Sequence, residues 1–256
     1  MALLDVYIKQ FHDFLNRKKD EGVPVSELKA LPSPVKYHDS TQGNNSHRVI
    51  LKGETGVELG APDTMSAFLI LLTDDPALIE DGKIVLMGDD IPKSVGKSVP
   101  FGQIICVSLD KMDDVDQWLD DYGKIEECGR IVEEIPGYMI RCMPGRLWAR
   151  VSKEAAKGGL SLFYVGSRLI DSVRENVTGI KSVSVTFVTS NKEDVEELGR
   201  MGEQVRKIVN DLRFSKLSVL SDSEMECENE IDCTSCEESV VCDEIKKVFD
   251  VTKGEI

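Results

Sequence analysis

Aromatic side chains are scarce here: two Trp, five Tyr and eight Phe, 6% of 256 residues. A core must therefore be assembled mainly from Val, Ile, Leu, Met and Ala, and the length suffices for one large domain or two small ones. No apolar run approaches the ~20 residues that cross a bilayer, and no basic-then-apolar leader opens the chain. A soluble, cytoplasmic protein is expected. Positive charge is also short, with 31 Lys and Arg against 46 Asp and Glu and a net charge of −15. Phosphate-rich partners need clustered cations, which argues against nucleic acid or anionic lipid as a main ligand. Gly56, Gly60 and Gly88 form neither G-x-G-x-x-G nor a Walker loop, so a nucleotide site has no support. The three histidines, His12, His38 and His47, are too dispersed to suggest a ligand set. Without a secretory leader, structural disulfides are not expected.

What is present concentrates at the C-terminal end. Residues 221–256 hold twelve acids against Lys246, Lys247 and Lys253, and also four of the seven cysteines. The spacing is Cys227-x5-Cys233-x2-Cys236-x5-Cys242. A C-x2-C pair sets two thiolates on one tight turn, and the outer cysteines supply a third and fourth ligand. Four thiolates suit tetrahedral zinc and a cubane cluster equally on ligand count. The compact spacing leans towards an iron–sulfur cluster, because zinc ribbons separate two C-x2-C pairs by a longer insert. A redox dithiol is disfavoured by the acidic setting, and four free thiols by their density. Neighbouring carboxylates would lower a cluster's potential, since an added electron costs more beside negative charge. Cys106, in Ile104-Ile105-Cys106-Val107, reads as a small buried hydrophobe.

Along the chain, Leu4, Tyr7, Ile8, Phe11, Phe14 and Leu15 recur at helical spacing and predict an amphipathic helix ending before Gly22. A second short helix is expected over residues 25–30, then a polar linker over 38–47. Strands are expected at 48–52, 66–73, 83–87, 101–109 and 181–189, the last half-buried. Helices are expected at 112–121, 147–157, 162–176 and 191–212, the last capped by Ser190 with Glu193. This predicts an α/β domain, with α+β as the alternative. The expected division is a helical extension and linker (1–46), an α/β domain (47–220) and an acidic four-cysteine tail (221–256). Asp74, Asp75, Glu80 and Asp81 read as turn and cap chemistry, and Trp118 and Trp148 as core anchors.

Several patches carry a family resemblance. Val57-Glu58-Leu59-Gly60-Ala61-Pro62, Leu72-Thr73-Asp74-Asp75-Pro76 and Ile79-Glu80-Asp81-Gly82-Lys83-Ile84 resemble the opening of the acetyl-CoA synthase β-subunit family of carbon monoxide dehydrogenase complexes. Trp148-Ala149-Arg150-Val151-Ser152-Lys153-Glu154 is similar to that family's W-x-R-[VI]-S-K-[DE] stretch, and Val183-Ser184-Val185-Thr186-Phe187-Val188-Thr189 to one of its strands. The order is kept over residues 56–242, and Cys233 and Cys236 fall where the family begins its cluster ligands.

The resemblance implies a middle-domain-like fold, a [4Fe–4S] cluster at Cys227, Cys233, Cys236 and Cys242, and a coenzyme A or partner surface at Arg146, Trp148 and Arg150. The Trp expected just upstream of that surface is replaced by Tyr138-Met139. The family's nickel-binding Cys-Gly-Cys has no counterpart here, so carbon–carbon bond formation is not carried over. The expectation is an accessory protein, not an enzyme on its own, that docks to a corrinoid protein, CO dehydrogenase or another nickel-enzyme complex. The alternatives are a complex subunit that supplies a corrinoid-protein or CoA surface, and a zinc-stabilised interaction module.

Overall fold

The computed structural model describes residues 3–30, 49–110, 114–130, 135–143 and 146–222. The chain divides into two compact units, residues 1–213 and 214–256, and the fold below is that of the first.

Its elements run α1 (Asp5–Asp20), β1 (Val25–Lys29), β2 (Thr55–Leu59), β3 (Ser66–Thr73), β4 (Lys83–Met87), β5 (Ser98–Val99), β6 (Phe101–Leu109), α2 (Val115–Arg130), β7 (Tyr138–Met143), β8 (Arg146–Ser152), α3 (Lys153–Lys157), α4 (Leu162–Asn176), β9 (Ile180–Val188) and α5 (Lys192–Asp222). They form two mixed sheets. A five-stranded sheet has the order β1-β4-β9-β6-β3 and a four-stranded sheet the order β5-β2-β8-β7. The fold is α/β.

The larger sheet is sandwiched. Register places Phe68, Gln103, Phe187 and Leu86 on one face, with Leu69, Ile104 and Thr186 on the other. On the first face, α2 brings Gly129 against Phe68 and Ile105, and α4 brings Gly166 against Ile84 and Phe187. A Cβ at Gly166 would lie 2.9 Å from Ile84, so glycine is what lets α4 settle this closely. On the second face, α5 seats Leu198 over Gly102 and Gly202 over Leu69. Helix α1 joins that layer, its Lys18 paired with Asp194 of α5 at 2.9 Å and its Arg17 with Glu197. Covered on both sides, β3 and β6 are buried along their whole length.

Several expectations need correction. Residues 25–29 are an edge strand rather than a helix, because Val-Ser-Glu-Leu-Lys extends antiparallel along β4 and Glu27 meets Lys83 at 2.9 Å. The strand expected at 48–52 lies later, at β2; residues 52–54 are a 3-10 turn. The helix expected at 147–157 is strand β8 followed by the short α3, with Ser152 accepting from the Ala155 N–H at 3.1 Å. Strand β9 is not half-buried. It is central, so Ser182 and Thr186 are covered as well as Val183, Val185 and Phe187. The start of α5 is capped by Asn191, whose Oδ1 accepts from the Asp194 N–H at 2.8 Å, one residue later than expected. The Asp194 carboxylate accepts in return from Asn191, Ser190 and Lys18.

The strands at 66–73, 83–87 and 101–109 and the helix at 162–176 lie where the apolar pattern predicts them. Asp75 caps the turn at 76–78 through the Ala77 N–H at 2.9 Å, and Asp81 accepts from Arg174 and from the Val183 N–H. The role of Asp75 is the turn and cap chemistry expected of it, whereas Asp81 instead ties α4 and β9 to the turn before β4. The polar linker of residues 38–47 lies outside the described residues.

Candidate functional site

The smaller sheet buries one face only. Along β8, Leu147, Ala149 and Val151 are fully buried, while Arg146, Trp148 and Arg150 alternate to the other side. The inward set continues on β2 with Val57 and Leu59. The three residues predicted as a cofactor or partner surface thus share one outward face, placed by a strand and not by the expected helix.

Register aligns a row across this face: Ser98 of β5, Glu58 of β2, Arg150 of β8 and Met139 of β7. Arg150 donates from Nε to Glu58 Oε1 at 2.8 Å and from Nη1 to the Ile50 carbonyl at 3.1 Å. Ser98 Oγ donates to the second Glu58 oxygen at 3.4 Å. The Arg150 guanidinium also lies over the Trp148 ring, 4.4 Å from its centroid, a cation–π stack. The Arg150 and Glu58 side chains keep 17% and 18% of their surface open. Nearby, Lys153 Nζ donates to the Gly53 carbonyl at 2.7 Å, so two cations hold the 50–53 segment against the sheet. Trp148 is half-buried on this outer face, which corrects its reading as a core anchor. Trp118, fully buried and stacked on Tyr122 with centroids 5.4 Å apart, is one.

Gly60 ties this face to the larger sheet. It turns with φ +66°, and a Cβ there would sit 2.4 Å from the Leu147 carbonyl and 2.7 Å from Ser66. Only glycine permits that approach. The Val57-Glu58-Leu59-Gly60 patch thereby gains a physical meaning: two core residues, the partner of Arg150 and a turn between sheets.

In sequence, segments 91–99 and 135–157 together hold Lys93, Lys97, Arg141, Arg146, Arg150, Lys153 and Lys157 against Glu154 alone, while on the strand face itself Arg146 and Arg150 stand beside Glu58. Burial pushes the Cys106 thiol up to about 12, and it also raises Cys128, which donates to the Ser172 carbonyl at 3.6 Å. Neither is a thiolate near neutral pH. Burial lowers His12, aided by the charge of Lys83. His38 and His47 lie outside the described residues.

Cys227, Cys233, Cys236 and Cys242 also lie outside the described residues. Among those that are described, no group of three or more His, Cys, Asp or Glu is arranged to hold a metal. In the cysteine segment, four cysteines within sixteen residues are by sequence a donor set that would fit a cubane or tetrahedral zinc.

Comparison with known proteins places this geometry in a family. Residues 34–195 match the family model of the CO dehydrogenase/acetyl-CoA synthase complex beta subunit. The chain belongs to that family. It is similar to the acetyl-CoA decarbonylase/synthase complex subunit beta of Methanothermobacter thermautotrophicus, 27% identical over 171 residues. That alignment takes in 66% of this chain and 35% of the relative, so the chain matches about a third of that subunit's length. The matched residues include the smaller sheet with its Glu58–Arg150–Trp148 face and every strand of the larger sheet but the edge strand β1, and the family match ends before the cysteine segment. Among the described residues, no helix is long and apolar enough to cross a membrane.

Glu58, Ser98 and Ile50 were not predicted as site residues. The alternation of Val57, Glu58 and Leu59, apolar-polar-apolar, is the sequence signal that turns Glu58 outward. Its partner lies 92 residues away and cannot be read from spacing.

Proposed function

We propose that this chain is an iron–sulfur accessory module of the CO dehydrogenase/acetyl-CoA synthase β type. It carries a [4Fe–4S] cluster on Cys227, Cys233, Cys236 and Cys242 and docks to a protein partner of anaerobic one-carbon or nickel-enzyme metabolism. The partner class is a corrinoid protein, CO dehydrogenase or another nickel-enzyme complex. Electron transfer, assembly or activation would be its task there. The observation that carries this reading is the coexistence, in one chain, of a family-matched domain and a four-thiolate donor set. The naming of the relative as a subunit of a complex supports a protein partner. When bound, a cluster supplies one-electron chemistry and a cross-link for the segment that holds it. The chain's own contribution is the sheet face of Arg146, Trp148 and Arg150, a fixed cationic and aromatic contact surface.

Anaerobic purification followed by iron and sulfide analysis tests the cluster. About four of each per chain is expected. Cys233→Ser and Cys236→Ser should abolish both. A colourless protein with stoichiometric zinc would overturn the iron–sulfur assignment in favour of a zinc-stabilised interaction module.

A second reading is favoured by the Arg150–Trp148 stack. In it the chain is a complex subunit whose outer sheet face binds coenzyme A or a corrinoid protein. Titration with coenzyme A, in the wild type and in Trp148→Ala, separates the readings, since only this one allows saturable coenzyme A binding at that face.

A further inference from the structure

We infer that Glu58 is the positioning residue of the Arg–Trp face, holding Arg150 flat on Trp148 so that its guanidinium presents a fixed fork of donors to an anionic oxygen group, phosphate or carboxylate. This rests on the reading of that face as a recognition surface and names the chemistry it would take.

The geometry around Arg150 is over-determined for a side chain that only fills space. Its Nε is held by Glu58 at 2.8 Å, its Nη1 by the Ile50 carbonyl at 3.1 Å and its plane by the Trp148 ring at 4.4 Å. Three constraints from three separate segments leave the long side chain little rotational freedom. Glu58 is itself fixed. Its backbone N–H donates to the Lys97 carbonyl at 3.1 Å, its second oxygen accepts from Ser98, and it stands between β5 and β8 in the sheet. A holder built on a central strand is more rigid than one on a loop.

The donors left over point to a ligand. A guanidinium has five N–H groups. With Nε and one Nη1 hydrogen engaged, Nη2 has no partner among the described residues. The Trp148 indole Nε1–H is buried, so within the stack the guanidinium edge is the donor that a ligand from solvent can reach. A planar fork fixed in position matches paired oxygens of a carboxylate or phosphate, which a lysine at 150 would not. Glu58 offsets the charge of Arg150, so the fork contributes direction more than net attraction, and Lys97, Arg146 and Lys153 supply the surrounding positive field.

The test uses the full chain as wild type, Glu58→Gln, Arg150→Lys and the double variant. Trp118, 0% exposed, gives a constant blue background, so changes in tryptophan emission and acrylamide quenching report Trp148. Coenzyme A and a glutamate-rich peptide serve as the phosphate and carboxylate probes. Glu58→Gln should shift emission to longer wavelength, increase quenching and weaken the bound probe about tenfold. The double variant should match Arg150→Lys alone, because Glu58 acts through Arg150. Additive effects, or a Glu58→Gln protein with lowered melting temperature but unshifted emission, would overturn the positioning role. If the wild type binds neither probe, the ligand class falls together with the recognition reading, and the emission arm still decides whether Glu58 sets the stack.

Discussion

Strands β3, β6 and β9 of the larger sheet are covered on both faces, whereas β8 of the smaller one buries Leu147, Ala149 and Val151 and turns Arg146, Trp148 and Arg150 outward. The two sheets share one continuous core but divide the work. Two-sided burial spends every side chain of β3 and β6 on packing. One-sided burial leaves β2 and β8 an outer face whose polar pairs are set by register and not by exclusion of water. Stability should therefore reside in the first sheet and recognition in the second, and substitutions can separate the two.

The largest effect is expected in the larger sheet. Phe187 is fully buried and stacked on Phe101 with ring centroids 5.9 Å apart. Its replacement by alanine should cost about 3–5 kcal/mol in urea unfolding, the sum of lost transfer energy and an uncollapsed cavity. Trp148→Ala, a larger truncation on the half-open face, should cost well under half of that. Equal losses would break the comparison.

Next comes the junction between the sheets. Gly60→Ala places a Cβ against the Leu147 carbonyl at a backbone φ of +66°. A loss of about 2–3 kcal/mol is expected, from conformational strain plus the displaced strand. Gly22 is the control, with φ +86° and nothing within 4 Å of a Cβ. Its alanine variant should lose only about 1 kcal/mol, the conformational part alone. If both lose the same amount, the close approach of β2 and β8 contributes nothing.

The same contrast governs how much was legible in the sequence. Ile104-Ile105-Cys106-Val107 and Ala67-Phe68-Leu69-Ile70-Leu71-Leu72 are unbroken apolar runs, which only a doubly covered strand or a buried helix accounts for. Their lengths between turn signals favour strands. Strand β8 hid itself because its alternating Leu147, Ala149 and Val151 run straight into Lys153-Glu154-Ala155-Ala156, so the helix formers of α3 coloured the whole stretch. Strand β1 hid because an edge strand is fixed by its partner β4 more than by its own polar residues. Arg146, Trp148 and Arg150 are expected as a surface through the family resemblance, and the strand sets the three on one outward face. Their stacking, and the holding of Arg150 by Glu58, needed the sheet. The cysteine segment is the converse case: its spacing raises the expectation of a four-thiolate site, and its conformation lies outside the described residues.

A smaller effect should be read by pH at one buried group of the larger sheet. Cys106 belongs to the larger sheet, and its thiol is raised from 9.0 to about 12 by burial. The folded chain therefore keeps that proton where the unfolded chain has lost it. The resulting stability is complete below about pH 9 and is lost as pH rises towards 12, with a slope of at most about 1.4 kcal/mol per pH unit. Urea unfolding of the wild type against Cys106→Ala between pH 8 and pH 11, both ordinary alkaline conditions, should show the steeper decline only in the wild type. Parallel curves would mean that the thiol is solvated in the folded state.

The smallest effect on stability is expected at the residue with the largest consequence for recognition. Arg150→Lys keeps a cation opposite Glu58 on a face that is already partly open, so it should cost about 1 kcal/mol or less. It nevertheless removes the planar group that covers Trp148 and the second donor that reaches the Ile50 carbonyl. Thermal unfolding should move by a few degrees at most, while tryptophan emission shifts and acrylamide reaches the indole more readily. A variant that loses stability on the scale of Phe187→Ala would show that the outer face of the smaller sheet is as structural as the inside of the larger one. The division between them would then be one of burial alone. A variant that stays folded with an altered Trp148 environment separates packing from presentation on a single strand, because Ala149 and Val151, the neighbours of Arg150 in sequence, point into the core that the substitution leaves untouched.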